Sequence, residues 1–424
     1  MKRAKEWRRG AGLLLSALLV FPIFAVKPDA VYAAEREVRT VNVNIANDLG
    51  MRNPRVPGST ADAWEGDKVR FGQYGGNPLT FRVLDKKTRD FGGETMFLDC
   101  DAILYNQKFD AAGSVVWESS SLQKELNTSF LGSSFSMREQ GAIYQSQDPA
   151  AHKAWEQGEG GTWVYGALPS GGNKIFALDV REAEHEAYGY SHTGRGPAPW
   201  EIVENRKKIG GRYDSYWLRS ADGSIPNYHA GCVDSAGRVG GDHPDLDIPS
   251  VSPACNLDLP AVLFGTVRGR SKSSFTKTEV PDNPYNEWVL TLNTGETGFT
   301  AVRTNPEDAI TMMGGRIQLS LSGAVSGANQ ISALLLDSNN TALCYGKIAE
   351  SGDSAAVVKL PMGLKTGAAY TLRVFSEEAY DDRTSYAGNM EDISFTVEEY
   401  ILPFRMRERD YLNKEGIGKR LLVP

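Results

Sequence analysis

The chain has 424 residues, and its 53 acidic side chains outnumber its 46 lysines and arginines, which gives a net charge of −7. A negative protein repels nucleic acid and anionic lipid, so neither is an expected partner. Four cysteines in so long a chain are too few for a disulfide scaffold, and the length suits two or three domains of about 100–200 residues each.

Residues 1–33 have the layout of a secretory signal peptide. Basic residues come first, an uncharged run covers 11–26, and the small-residue pattern Val-Tyr-Ala ends at Ala33. The competing interpretation is a retained membrane anchor, but the apolar run is shorter than the roughly 20 residues that a spanning helix needs. We therefore predict cleavage after Ala33 and a secreted or cell-surface protein without stable membrane insertion. Losing six basic and two acidic residues takes the net charge from −7 to −11.

Residues 34–61 are predicted to be a polar lead-in, and residues 62–265 an α+β domain. Apolar residues alternate on both sides of a turn at 75–78, which predicts a hairpin, and residues 96–100 and 174–178 predict further strands. Three helix starts are predicted because a capping side chain stands three residues before a Gln or Glu: Ser120 and Gln123, Ser136 and Glu139, Asp179 and Glu182.

The second half of the chain differs from the first in composition and in its pattern of apolar residues. Residues 266–286 are rich in Ser, Lys, Thr, Pro and Asn, which is typical of an interdomain linker. Apolar residues then alternate in short runs between turn residues, so residues 287–398 are predicted to form an all-β, immunoglobulin-like sandwich. It lacks the Cys-Trp-Cys pattern of antibody domains, since Cys344 has no partner there. Residues 399–424 are predicted to be a charged tail.

Six short motifs follow one another in the first half: VRFGQY at 69–74, FRVLD at 81–85, WESSSL at 117–122, KIFALD at 174–179, YWLRS at 216–220 and VSPACNL at 251–257. Together they resemble a domain-of-unknown-function family of secreted and surface proteins of bacteria, over about residues 62–264. The closing strands of that family are similar to C-type-lectin-like folds, which include formylglycine-generating enzymes and variable ligand-binding surface proteins. The second half is similar to the immunoglobulin-like modules that accompany such domains. The resemblance brings no established catalytic residues.

Trp217 and Arg219 are the first candidate ligand-binding residues. Alternation puts both on one face if residues 215–220 form a strand. An aromatic ring beside a guanidinium could stack on and hydrogen-bond a sugar or a peptide. The alternative is structural, with Trp217 filling the core and Arg219 satisfying loop carbonyls or a carboxylate.

The loop region 222–249 is the better recognition candidate, because binding residues concentrate on loops that a rigid scaffold positions. No cofactor is predicted apart from calcium, to which the acidic run at 242–247 could supply oxygen ligands, but this run lacks the spacing of an EF-hand loop. A solvated acidic turn is the alternative. The candidate ligand-binding residues in this region are Asn227, Tyr228, His229, Asp242 and His243.

No catalytic constellation is visible in the sequence, and the state of Cys232 and Cys255 stays open between a disulfide and two buried thiols. We predict a protein that binds an extracellular glycan or surface protein through loops of the first domain. The sandwich would serve as a spacer or docking module. The alternatives are an exported oxidase or hydrolase acting on envelope polymers, or a purely structural envelope component.

Overall fold

The structure is a computed structural model. All the residues that it describes belong to one compact unit of the chain. Within them, no helix combines the length and apolar character needed to cross a membrane. The predicted signal peptide lies outside the described residues, as do 34–50 of the lead-in and the tail from 401 onward. The described residues are 51–149, 163–190, 202–223, 227–278 and 286–400.

The described chain is mostly β, with 42% of residues in strands and 11% in helices, and the strands form several sheets. Strands form at 69–83, where the sequence predicts them from the alternation of apolar and polar residues. They also form at 96–100 and 175–176, where the predicted strands are short, mainly apolar runs that are buried throughout. In chain order the strands are β1 (Lys68–Tyr74), β2 (Asn77–Thr88), β3 (Thr95–Cys100), β4 (Ala102–Ile103), β5 (Tyr105–Asn106), β6 (Trp163–Val164), β7 (Ile175–Phe176), β8 (Ile209–Gly210), β9 (Tyr216–Asp222), β10 (Ala230–Val233), β11 (Val239–Asp242), β12 (Ser250–Val251), β13 (Ala254–Asp258), β14 (Val262–Val267), β15 (Thr276–Lys277), β16 (Glu287–Asn293), β17 (Thr300–Arg303), β18 (Gly315–Ser322), β19 (Gln330–Leu336), β20 (Ala342–Glu350), β21 (Ala355–Leu360), β22 (Ala369–Glu378), β23 (Ser385–Ala387) and β24 (Glu391–Thr396).

The helices are short, and the three predicted helix starts are confirmed. The Ser120 side chain accepts from the amide of Gln123. Ser136 and Asp179 each form a full capping box with the Glu three residues later. The α-helices are α1 (Ser121–Glu125), α2 (Leu131–Ser134), α3 (Met137–Ala142) and α4 (Val180–Ala183), with a π-helical turn at Leu126–Phe130 and 3₁₀ turns at Trp117–Ser119, Glu186–Tyr188, Glu204–Arg206 and Leu259–Ala261.

The largest sheet has 13 strands and runs through both halves of the chain. Strand β16 pairs in parallel with β1, where Trp288 lies opposite Val69, and antiparallel with β14. The stretch 266–286, predicted to be a linker, contributes to this sheet in its described part, because β15 pairs with β20. One of its polar residues has a structural role, since the buried Lys272 ammonium donates to Ser385 Oγ at 2.7 Å. Backbone pairing therefore crosses the boundary that composition suggests.

Two sheets face each other in the second half. The three-stranded sheet β17-β18-β21 and the strands around β19 and β22 share one hydrophobic core. Ile317, Leu319 and Val358 enter it from the first sheet, and Leu335 and Leu372 enter it from the second. Strand β18 buries every second residue, as expected for a strand with one face on a core.

A six-stranded sheet carries the loops that the sequence analysis singles out. Its order is β11-β10-β9-β12-β5, and β6 pairs with the end of β9. Residues 216–220 of β9 are buried, and β9 lies inside the sheet between β10 and β12. A separate two-stranded pair joins β4 to β8.

Candidate functional site

The hairpin β10–β11 sets the geometry of the candidate site. Ala230 lies opposite Asp242 in the register of this hairpin. His229 directly precedes β10 and His243 directly follows β11, so the two histidines meet at the open end of the hairpin. Strand register thus brings together two candidate residues that are 14 positions apart in the sequence.

Tyr228, His229 and His243 form an aromatic cluster at this end of the sheet. The ring centroid of Tyr228 lies 4.6 Å from that of His229 and 4.4 Å from that of His243, and the two histidine rings are 4.9 Å apart. Tyr228 is 48% exposed. Asn227 precedes it with a φ of 58°, in the left-handed region that asparagine tolerates better than most residues. The cluster therefore presents the Tyr228 ring to solvent beside two histidines that can hydrogen-bond.

Carboxylates flank the aromatic cluster. His229 Nδ1 lies 3.9 Å from Asp222 Oδ2. Asp242 Oδ1 accepts the backbone N–H of His243 at 2.8 Å, which fixes the start of the turn that follows β11. Asp245 and Asp247 are exposed. Among the residues that the structure describes, no three or more His, Cys, Asp or Glu side chains are grouped to hold a metal ion.

A pocket of about 250 Å³ starts at Asp222 and Asn227, next to Tyr228 in the chain. Small-molecule sites usually span roughly 300–1,000 Å³, so this pocket suits a small group on a larger ligand. Its described walls are mainly apolar and include Val115, Val116, Trp117, Val164, Ala167 and Ala221.

Arg219 is one of the residues that line this pocket, and all of its guanidinium N–H groups are engaged in hydrogen bonds. Nη1 and Nη2 donate to the two carboxylate oxygens of Glu182 at 2.6 and 2.7 Å. Further donors reach the carbonyls of Gly166 and Ala177, both at 2.9 Å, and the hydroxyl of Tyr165 at 3.2 Å. Burial acts to lower the pKa of Arg219, but Glu182 overrides it and holds that pKa well above its usual value. Arg219 therefore positions this part of the fold and has no donor left for a ligand.

Trp217 is buried as well. Its indole N–H donates to the Gln107 carbonyl at 2.8 Å, and its ring meets the edge of Phe109 at 5.7 Å. Both residues have the surroundings that the structural alternative describes. Their ligand-binding role stays a prediction, and neither side chain offers an exposed surface to support it.

A second buried ion pair, which the sequence analysis missed, joins β3 to the segment before β8. Lys208 Nζ lies 2.7 Å from Asp99 Oδ1, donates to Ser252 Oγ at 2.8 Å, and is fully buried. The Tyr190 hydroxyl donates to the other oxygen of Asp99. Burial lowers the pKa of Lys208, an effect that Asp99 opposes. No local pattern marks this pair, because its members are 109 residues apart.

All four cysteines are free and buried, so Cys232 and Cys255 do not pair. They lie on β10 and β13, which belong to different sheets. Burial raises the pKa of every thiol, that of Cys100 to about 12 and that of Cys344 to about 11. The thiols are accordingly protonated at neutral pH, whereas the oxidase alternative needs reactive ones.

A larger cleft of about 590 Å³ lies between the first and second halves of the chain, away from the predicted residues. Its described lining comes from the β1–β2 turn, from α3 and its cap, and from residues 378–386. Arg138 links the two sides, donating to Glu378 at 2.8 Å and to Glu296 at 3.4 Å. The charge of Arg138 is therefore paired within the protein.

Comparison with known proteins identifies one domain. Residues 93–259 match the family model described as Domain of unknown function (DUF6273). The match covers less than half of the chain. The match spans β3 to the 3₁₀ turn at Leu259–Ala261 and includes the aromatic cluster, the pocket and Arg219. It confirms the resemblance to a domain-of-unknown-function family, although the first two motifs precede the matched residues. No curated protein matches the chain.

Proposed function

We propose that this chain is exported and binds an extracellular ligand, a glycan or a protein, through its aromatic cluster. The observation that carries the proposal is the meeting of Tyr228, His229 and His243 on an exposed surface beside a pocket. An exposed aromatic ring among hydrogen-bonding side chains can stack on a sugar ring or anchor a protein partner.

The pairing of the buried charged side chains favours a binding function over a catalytic one. Arg219 is saturated by Glu182 and by carbonyls, and Lys208 is bound to Asp99 and Ser252. These groups hold the scaffold in place, whereas the aromatic cluster lies on loops at its edge. A rigid scaffold with exposed loops is the usual arrangement of a binding module.

The remaining parts of the proposal concern fold and location. We place the DUF6273 region among C-type-lectin-like folds and the second half among immunoglobulin-like modules that act as spacers or docking units. The shared core between β17-β18-β21 and the opposing strands supports the second assignment, since a two-sheet sandwich has this construction. Export is supported by the signal-peptide layout of residues 1–33.

A glycan and surface-protein array probed with the mature chain tests the proposal. We expect binding to a defined ligand, and weakening of about tenfold or more by Tyr228→Ala and by His229→Ala, because truncating central aromatic contacts typically costs that much. Tyr213→Ala is the matched control, since Tyr213 is an exposed tyrosine outside the aromatic cluster. Absence of any binding, or equal binding by all three variants and the parent chain, would contradict the proposal.

A further inference from the structure

Among the residues that the structure describes, strand β11 is the last strand at one edge of the six-stranded sheet and pairs with β10 alone. The turn of this hairpin fixes which backbone groups point inward. Asp234 N–H donates to the Arg238 carbonyl at 2.9 Å. In an antiparallel ladder bonded and non-bonded pairs alternate, so Gly240 and Asp242 bond to β10, while Val239 and Gly241 direct their N–H and C=O groups away from it.

These outward groups have no hydrogen-bond partner among the described residues. Natural sheets usually protect such an edge with charged side chains, proline or a bulge. Here two glycines occupy the centre of the strand, and a Cβ added to Gly240 would meet no heavy atom within 4 Å. Among the described residues, nothing therefore occupies the outward backbone groups of β11, which another extended chain could pair with.

The aromatic cluster lies on one face of this same edge. A Cβ added to Gly241 would come within 2.9 Å of the His229 Cβ, so the two residues share a face. Every second side chain of a strand placed along β11 would consequently pass His229 and His243. Main-chain hydrogen bonds would hold such a strand, and the aromatic cluster would select among its side chains.

Charge indicates which peptide fits. At the turn of the hairpin Arg238 is paired with Asp234 at 2.6 Å. At the other end Asp242, Asp245 and Asp247 make no ion pair with any described residue. Leu246 is exposed between the last two of these carboxylates. A partner with basic residues would neutralise this end, whereas an acidic one would be repelled.

We propose that β11 docks an extended, basic peptide segment of a partner protein by strand addition. This inference rests on the proposed function and specifies its partner class. The added segment would pair with the N–H and C=O groups of Val239 and Gly241, place alternate side chains against the aromatic cluster, and set its basic residues near Asp245 and Asp247.

Titration calorimetry of the full mature chain with a short peptide of alternating lysine and valine tests this inference. Two comparison peptides separate backbone pairing from charge: the same peptide N-methylated at alternate residues, and one with glutamate in place of lysine. We expect the methylated peptide to bind about tenfold or more weakly, since it retains the charges but loses backbone donors, and the glutamate peptide to show no binding. Hydrogen exchange should slow at the amides of Val239 and Gly241 when the lysine peptide binds.

Variants of the protein supply the second arm of the test. Asp245→Asn with Asp247→Asn should weaken the lysine peptide about tenfold, while the control Glu307→Gln with Asp382→Asn, which changes two exposed acids elsewhere, should leave it unchanged. Equal binding of the methylated peptide, or no binding at millimolar peptide, would overturn strand addition. If the array still shows a ligand that depends on Tyr228, the proposed function stands and only this inference falls. If the array is blank as well, both fall.

Discussion

At the scale of single residues, the buried charges carry out a structural task that their type alone does not reveal. Arg219 stands two positions after Trp217 on the same strand, and from the sequence its guanidinium could face a ligand. The sequence cannot distinguish that possibility from the observed pairing of the guanidinium with Glu182. The pair is completely buried. A buried ion pair adds little net stability, but removing one of its members is costly because the other is left as an unpaired charge in the interior.

Glu182→Gln should therefore lower the free energy of unfolding markedly, by about 3–5 kcal/mol, because the Arg219 charge stays buried without its partner. Urea denaturation followed by tryptophan fluorescence measures the change. Asp392→Asn is the control, since Asp392 is exposed and pairs with the partly exposed Arg373, and it should change stability by less than about 1 kcal/mol. Similar effects of the two substitutions would contradict the structural role given to Glu182.

At the scale of elements, local signals were sufficient wherever the determining residues are close in sequence. The capping boxes at Ser136 and Asp179 and the alternating strands follow from short-range patterns, and the structure confirms them. The parallel pairing of β1 with β16 could not be predicted in this way, because its partners lie more than 200 positions apart. Parallel strands need long crossovers, and composition gives no register for them.

The cap of α3 allows a test at this scale. Ser136→Ala removes the acceptor of the Glu139 amide and the contact of Ser136 Oγ with the Tyr386 hydroxyl at 2.9 Å. We expect the free energy of unfolding to fall by about 0.5–2 kcal/mol, the usual cost of losing such a cap. Ser119→Ala, at an exposed serine on a neighbouring turn, should cost less than about 0.5 kcal/mol. If the two variants unfold alike, the cap does not stabilise α3.

At the scale of the whole molecule, one sheet joins two regions that composition separates. Strand β16 contacts β1 and β14 from the first half and β23 from the second. Trp288 of this strand is fully buried. The candidate site shows the same division between local and distant signals: the sequence named the residues of the aromatic cluster, but only the hairpin register brings them into contact.

The described residues should consequently unfold together. We expect a single urea transition, with coincident midpoints by tryptophan fluorescence and by far-UV circular dichroism, because opening either half would expose the edges of β16. Two separate transitions would show that the sheet does not couple the halves, and would favour the domain boundary suggested by composition at 266–286.

Recognition of the ligand by the aromatic cluster can be measured by titration calorimetry with the array-selected ligand. The chain, Tyr228→Ala and Tyr213→Ala are compared at equal concentration. We expect Kd to rise about tenfold or more for Tyr228→Ala and to stay within about twofold for Tyr213→Ala. A Kd that is unchanged in Tyr228→Ala would contradict it and place recognition elsewhere on the protein.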